Sequence, residues 1–222
     1  MSAKERPQDE REAIAALQAR QGKGARYDSP AAPTSELLLA RRGAAYFARK
    51  LNELDDTALE GGSHLNGVGR RLIVARVGYE ARAMARIAEA AREGHGEEML
   101  GDPEQEPDDE ILGACLPAHA LRYLFEHTQA HLNVEWRDLT DAAWDHAVVS
   151  LTGRRVTPRQ MVRERAVTLW LGAVSLRNGG RLSDIPDGIR PMSITTNEQQ
   201  SQLQLGEQFH SAASASQTGE HQ

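Results

Sequence analysis

The sequence contains one cysteine, Cys115, in 222 residues, so it cannot form an internal disulfide bond. No apolar run approaches the roughly 18 residues that a membrane-spanning helix needs. The first residues also lack the apolar stretch of a secretory signal peptide. We therefore expect a soluble protein of the reducing cytoplasm, in which Cys115 is a small buried thiol.

An excess of positive charge is missing as well, since the net charge is -6 and the sequence pI is about 5.8. These values argue against a general affinity for nucleic acid or for anionic membranes. After about Ile189 the chain consists mainly of Ser, Gln, Thr and Glu, which cannot offset their own ordering entropy. The sequence predicts a polar N-terminal extension over 1–33, a helical domain over 34–189 and a disordered polar tail over 190–222.

Strand patterns are absent too, because no alternating run is bounded by hairpin turns. Apolar residues recur instead at helical spacing in four long segments. The predicted helices begin at a Thr34 or Ser35 cap, at about Val68, at about Ala118 and at Thr157-Pro158. On the first helix Leu38, Ala45 and Leu51 are expected to face the core. The predicted fold is all-α, a four-helix bundle with long connections and an irregular N-terminal segment.

One charge lies where the second helix is expected to face its core. At about 100° per residue, Arg76 falls in the middle of an apolar arc. The arc comprises Leu72, Ile73, Val77, Tyr79, Ala83, Met84, Ile87 and Ala88. Glu80 follows at i+4, so a buried Arg76–Glu80 ion pair is one interpretation. The other is that Arg76 holds a carboxylate ligand inside the bundle.

The third helix carries a polar stripe in "HTQAHLNVE", which places His127, His131 and Glu135 at i, i+4 and i+8. This spacing can bind a divalent ion if another helix supplies a further ligand. The stripe is equally typical of a polar flank whose histidines bond to neighbouring helices. The sequence leaves both interpretations open.

Several long stretches resemble one protein family. They are "GARYDSPAAP", "ARRGAAYFARKLNEL", "VGYEARAMARI", "LPAHALRYLFEHTQAHLNVEWRDL" and "WLGAVSLRNGGRLSDIP". From about Gly24 to Pro186 the chain resembles the mycothiol-dependent, DinB-like maleylpyruvate isomerases. The resemblance implies a four-helix bundle around a divalent metal. It also implies conversion of maleylpyruvate to fumarylpyruvate in the gentisate route of aromatic degradation, with a low-molecular-weight thiol as cofactor.

The family's metal ligands are nevertheless substituted. Its second-helix motif reads "GVGRRLIVARVGY" here, with Leu72 and Arg76 at the histidine positions. Its fourth-helix motif reads "VTLWLGAVSL", with Thr168 at the glutamate, Gly172 at the histidine and Ser175 at a later aspartate. A loop motif departs as well, at Leu100 and Glu106. Leucine, threonine and glycine offer no usable ligand for a divalent ion, and arginine cannot give up its proton to become one. No metal cofactor is therefore expected.

Three functions follow from this pattern. We expect an isomerase-like protein whose metal-dependent catalysis is impaired or lost, and an active enzyme would need a site re-formed from the histidine stripe. The first alternative is a metal-free binding protein for an anionic small molecule or a protein partner. The second is metal-free isomerisation by a thiol, mycothiol or glutathione. The predicted ligand-binding residues are Arg76, Glu80, His127 and His131. Neither enzyme status nor oligomeric state follows from the sequence.

Overall fold

The described chain consists of six α-helices, a small hairpin and two short 3-10 turns. The computed structural model describes residues 27–95, 109–150 and 154–190. The helices are α1 (Thr34–Asn52), α2 (Asp56–Leu59), α3 (Arg70–Glu93), α4 (Asp109–Ala114), α5 (Ala118–Asp138) and α6 (Pro158–Ser175). The 3-10 turns are Ala143–Asp145 and Leu182–Asp184. Leu100, Glu106 and the predicted tail from Pro191 onward lie outside the described residues.

The long helices α1, α3, α5 and α6 form the predicted all-α bundle. Helix α3 packs against α5 and α6, α1 packs against α6, and the short helix α4 lies on α3. Strands β1 (Val148–Val149) and β2 (Arg155–Val156) pair antiparallel, so the expectation of no strand is wrong here. Burial of Val148 and Val156 explains why this short hairpin forms. Within the described ranges, no helix has the length and apolar character to cross a membrane.

Small residues allow the helix pairs to approach closely. A Cβ on Gly43 of α1 would lie 2.9 Å from the Trp170 ring of α6, and one on Gly78 of α3 would lie 2.9 Å from Leu124 of α5. Between these pairs, the rings of Phe47 and Phe125 stand 4.8 Å apart. Interiors packed at this density respond to changes of even one methylene group.

The two predicted helix caps have different outcomes. At α6 the Thr157 side chain accepts from the Gln160 N–H, while the Gln160 side chain accepts from the Thr157 N–H. This reciprocal capping confirms the predicted start of α6. The predicted cap of α1 is wrong, because Pro33 occupies the cap position and makes no side-chain capping bond. The Thr34 hydroxyl donates instead to the carbonyl oxygen of Ala32.

The buried face was predicted correctly for α5, whereas on α1 and α3 the buried face is rotated about the helix axis from the predicted one. The core face of α5 is as expected, with Leu121, Phe125, Leu132 and Trp136 buried. On α1 Leu51 is buried as predicted, whereas Leu38 is 49% exposed and Ala45 is exposed. The buried residues of this helix are Leu37, Ala40, Gly43, Ala44, Tyr46, Phe47 and Leu51. On α3 the arc is rotated, so Arg76 lies at its edge and Ala83 is exposed. Cys115 is also exposed, against expectation.

Several hydrogen bonds fix the segment before α1 to the bundle, among them two from Arg41 of α1 to Asp28. The Ala31 N–H donates to Asp141, and the Trp144 indole N–H donates to the Ser29 hydroxyl, both at 3.0 Å. Arg159 donates to the Ala31 carbonyl oxygen at 2.8 Å. These bonds hold residues 27–33 against the α5–α6 side of the molecule.

The 3-10 turn Leu182–Asp184 is joined to α1 by a hydrogen bond that the Tyr46 hydroxyl donates to an Asp184 oxygen, 2.6 Å away. Burial, together with this bond, raises the pKa of Tyr46 to about 12. The same bond lowers the pKa of Asp184 below its ordinary value of 3.8. At a pH above that ordinary value Asp184 therefore contributes fully to the stability of the fold. The contribution is lost as the pH falls through the lowered pKa of Asp184 in the folded state.

We predict that Tyr46→Phe removes part of this acid sensitivity. The free energy of unfolding of the variant should fall less steeply than that of the wild type between about pH 5 and about pH 2. Urea unfolding at a series of pH values measures the two slopes. Tyr123→Phe, which alters an exposed tyrosine, is the matched control. Parallel pH profiles for Tyr46→Phe and wild type would contradict the assignment.

Candidate functional site

The interior of the bundle contains a fully buried arginine, Arg165, on α6. Its Nη1 donates to Glu80 Oε2 at 2.6 Å and to the Val77 carbonyl oxygen at 2.7 Å, both on α3. Its Nη2 and Nε donate to Gln129 Oε1 of α5, at 2.7 and 3.2 Å. One guanidinium therefore joins three helices of the bundle.

Both oxygens of the Glu80 carboxylate accept hydrogen bonds from side chains of α6. While Oε2 accepts from Arg165, Oε1 accepts from the Thr168 hydroxyl at 2.7 Å. Burial raises the pKa of Glu80, and the Arg165 guanidinium and the Thr168 hydroxyl oppose that shift. Burial also lowers the pKa of Arg165. Because arginine keeps its proton in proteins, only an ionised Glu80 makes this interior neutral.

Gly172, the α6 position at which the resemblance implies a histidine, faces inward and is surrounded by neighbouring side chains. A Cβ on Gly172 would lie 3.2 Å from the Phe47 ring and 3.3 Å from Val77. Thr168 is 6% exposed and Ser175 is fully buried. Thr168, Gly172 and Ser175 thus face the interior of the bundle, as the resemblance implies. The Phe47 and Val77 side chains leave no room for an imidazole at Gly172.

Arg76 makes a different ion pair from the one expected. Its Nε donates to Glu110 Oε2 of α4 at 2.7 Å, and the two side chains are 17% and 33% exposed. The predicted Arg76–Glu80 pair is therefore wrong. Because Arg76 lies at the edge of the arc, it faces α4, whereas Glu80 faces α6. Helix α4 approaches this edge so closely that Tyr79 leaves no room for a Cβ on Gly113.

The polar stripe of α5 lies mainly at the surface. His127 is exposed and stacks on Tyr123, with ring centroids 5.5 Å apart. His131 is also exposed, and its Nε2 is 3.4 Å from a Glu135 oxygen. The other Glu135 oxygen lies 3.3 Å from Arg92 of α3. The stripe is a polar flank, but its histidines contact Tyr123 and Glu135 of the same helix and not, as expected, neighbouring helices. The role of the histidines in ligand binding stays a prediction.

A divalent ion does not fit the residues at the family's ligand positions. Leu72, Arg76, Thr168 and Gly172 supply one hydroxyl among them, and that hydroxyl already donates to Glu80. In the part of the chain that the structure describes, no three His, Cys, Asp or Glu side chains are grouped to hold a metal ion. The nearest carboxylate, that of Glu80, is already paired with the Arg165 guanidinium. What the arrangement holds is a neutral ion pair whose carboxylate oxygens both already accept hydrogen bonds.

Two members of the interior network, Arg165 and Gln129, were missed by sequence reasoning. The available signal was the spacing of Arg165, Thr168 and Gly172 at i, i+3 and i+7, which puts them on one face of α6. The adjacent charges of Arg163 and Glu164 hide this signal, because a run of charges is normally a solvated face.

The chain is similar to known proteins over most of the bundle. The family model of the mycothiol maleylpyruvate isomerase N-terminal domain matches residues 40–174. Two similar crystal structures are those of the mycothiol-dependent maleylpyruvate isomerase and of its histidine-to-alanine mutant. Each is 33% identical with a TM-score of 0.65, and the alignment covers 70% of this chain and 65% of the other. The chain thus spans just under two thirds of their length. No curated protein matches the sequence.

Proposed function

Because this chain belongs to the mycothiol maleylpyruvate isomerase N-terminal domain family, we propose that it is an isomerase-like protein that holds no divalent metal. The observation that carries the proposal is the fully buried Arg165 bonded to Glu80 between α3, α5 and α6. The ion pair replaces a bound cation by a guanidinium and its counter-charge. The family conversion of maleylpyruvate to fumarylpyruvate, where it needs the metal, is accordingly impaired or lost.

The function that this geometry supports best is the binding of a small carboxylate at Arg76. Arg76 lies at the edge of the bundle, within reach of solvent, and already holds a carboxylate oxygen of Glu110 at 2.7 Å. In this proposal Glu110 stands where the ligand's carboxylate binds, and α4 moves aside to admit it. Charge-assisted bonds of this kind are the strong class in proteins.

A titration with maleate tests the binding proposal. We expect Arg76→Ala to weaken maleate binding by about 10-fold or more, because it loses a charge-assisted hydrogen bond. Glu110→Gln should strengthen binding by a few-fold, since it weakens the internal competitor. Isothermal titration calorimetry on the full chain measures both changes.

The matched control is Arg82→Ala, which removes an exposed arginine from the same helix. It should bind maleate as the wild type does. Equal affinities for wild type and Arg76→Ala would remove the support for a carboxylate site at this edge. The opposite response of Glu110→Gln, a loss of affinity, would show that Glu110 is part of the site and not its occupant.

Three further expectations belong to this proposal. The similar structures are those of mycothiol-dependent enzymes, so a low-molecular-weight thiol, mycothiol or glutathione, is the proposed cofactor of any remaining activity. No nucleic-acid or membrane partner is expected, given the net charge of -6. A cytoplasmic location stays a prediction from the single cysteine.

A further inference from the structure

Helix α4 buries little apolar surface against the bundle. Its two large apolar side chains face outward, since Ile111 and Leu112 are 60% and 65% exposed, whereas Gly113 is buried and Ala114 is half-buried. A helix of six residues is also too short to be stable by itself in water. The position of α4 therefore depends on a few contacts, and segments of this kind open at a free energy cost well below that of global unfolding.

The C-terminal end of α4 is held firmly by Arg71 of α3. The Nε of Arg71 donates to the Ala114 carbonyl oxygen at 2.7 Å, and its Nη2 donates to the Leu116 carbonyl oxygen. Its Nη1 pairs with Glu60. Only three residues, 115–117, separate α4 from α5. This end of α4 is therefore fixed to both of its neighbouring long helices.

The N-terminal part of α4 is held to α3 by contacts that can be released. Arg76 donates to Glu110 at 2.7 Å, and the two side chains are 17% and 33% exposed, so salt partly screens their attraction. One turn further along, Gly113 lies against the Tyr79 ring, which a methyl group on Gly113 would overlap. Arg76 and Tyr79, at i and i+3, lie on the same side of α3. Helix α4 covers both.

We propose that α4 is a lid that opens by rotating about its C-terminal end. Opening separates Glu110 from Arg76 and Gly113 from the Tyr79 ring, while the bonds of Arg71 are kept. The open form exists without ligand, and a carboxylate binds to the open form, so the affinity is lowered in proportion to the fraction of open molecules. This regulation rests on the carboxylate site proposed above, whereas the movement of α4 does not.

Fluorine NMR of the full chain labelled with 3-fluorotyrosine measures the movement without any ligand. The sequence has four tyrosines, and Tyr79→Phe identifies the Tyr79 resonance. Saturation transfer gives the fraction of molecules in which the ring has left Gly113. We expect Glu110→Gln to raise this fraction about 5-fold, because it weakens a charge-assisted bond. Gly113→Ala should make the open resonance the major one, because its methyl group overlaps the ring in the closed form.

Salt should act on the lid through the same ion pair. About 1 M NaCl should raise the open fraction of the wild type, because it screens a partly exposed pair. The same salt should leave the open fraction of Glu110→Gln unchanged. An equal response of both proteins to salt would overturn the role of the Arg76–Glu110 pair in closing the lid.

Two controls locate the movement. Glu126→Gln, which alters an exposed glutamate of α5, should leave the Tyr79 resonance unchanged. A trifluoromethyl label on the exposed Cys115 reports on the fixed end of α4, and its resonance should be the same in wild type and Glu110→Gln. Thermal unfolding should show all variants folded. A Tyr79 resonance that stays in the closed position in both Glu110→Gln and Gly113→Ala would overturn the lid, and a Cys115 label that shifts with Tyr79 would overturn the fixed end.

A titration with maleate separates the lid from the site that it covers. We expect Gly113→Ala to bind maleate more tightly than the wild type does, by the factor by which its open fraction exceeds that of the wild type. A larger open fraction with unchanged maleate affinity would overturn the regulation. Opening of α4 in a protein that binds no maleate would overturn the carboxylate site and its regulation, and would leave the movement of α4 established.

Discussion

Arg165→Met is expected to lower the free energy of unfolding by about 3–5 kcal/mol, because it leaves Glu80 without its charged partner inside the bundle. Glu80→Leu should cost a similar amount, since it leaves a fully buried guanidinium uncompensated. Urea unfolding of each variant measures these losses. Arg163→Met, an exposed position on the same helix, should change stability by less than about 0.5 kcal/mol.

The double variant Glu80→Leu with Arg165→Met separates pairing from simple loss of packing. Because it removes both charges at once, it should recover most of the stability that either single variant loses. Additive losses in the double variant would show that the two residues do not act as a pair. A near-neutral Arg165→Met would show that the guanidinium is not held as the structure has it.

Gly172→His is expected to destabilise the fold by about 3 kcal/mol, although the resemblance implies a histidine at this position in the family. A Cβ alone would lie 3.2 Å from the Phe47 ring, so an imidazole has to displace that ring or strain α6. The imidazole would also be buried without an assured hydrogen-bond partner, which adds to the cost.

A second variant identifies Phe47 as the cause. Phe47→Ala by itself should cost about 3–5 kcal/mol, because it opens a cavity at the centre of the bundle. In that background Gly172→His should be far less damaging than in the wild type, and thermal or urea unfolding measures the difference. Equal losses in both backgrounds would mean that Phe47 does not fill the histidine position.

The fold could be predicted because its signals are local. The apolar periodicity of α5 and the Thr157-Pro158 start of α6 each depend on a few neighbouring residues, and both were correct. The inward face of α1 depends instead on packing. Leu37 and Leu38 are both apolar, and only the approach of α6 against Gly43 and Phe47 decides which of them is buried. Sequence periodicity cannot resolve a rotation of one residue.

The site could be predicted only in outline. The resemblance placed Thr168 and Gly172 inside the bundle, and the structure has them there. The ion pairs were not predictable, because Glu80 and Glu110 are both plausible partners of Arg76 and the choice depends on where α4 and α6 pack. From sequence alone, a charged residue at the edge of the buried face of a helix cannot be distinguished from one at its middle, because the orientation of the helix about its own axis is not known.

The most direct test of the proposal that this chain holds no divalent metal is the metal content of the purified full chain, determined by mass spectrometry after expression with zinc and iron supplied. The same sample is assayed for conversion of maleylpyruvate to fumarylpyruvate with mycothiol. We predict well under one ion per chain and no conversion above the rate without protein. A nearly stoichiometric divalent ion would contradict the proposal that the Arg165–Glu80 pair takes the place of a metal.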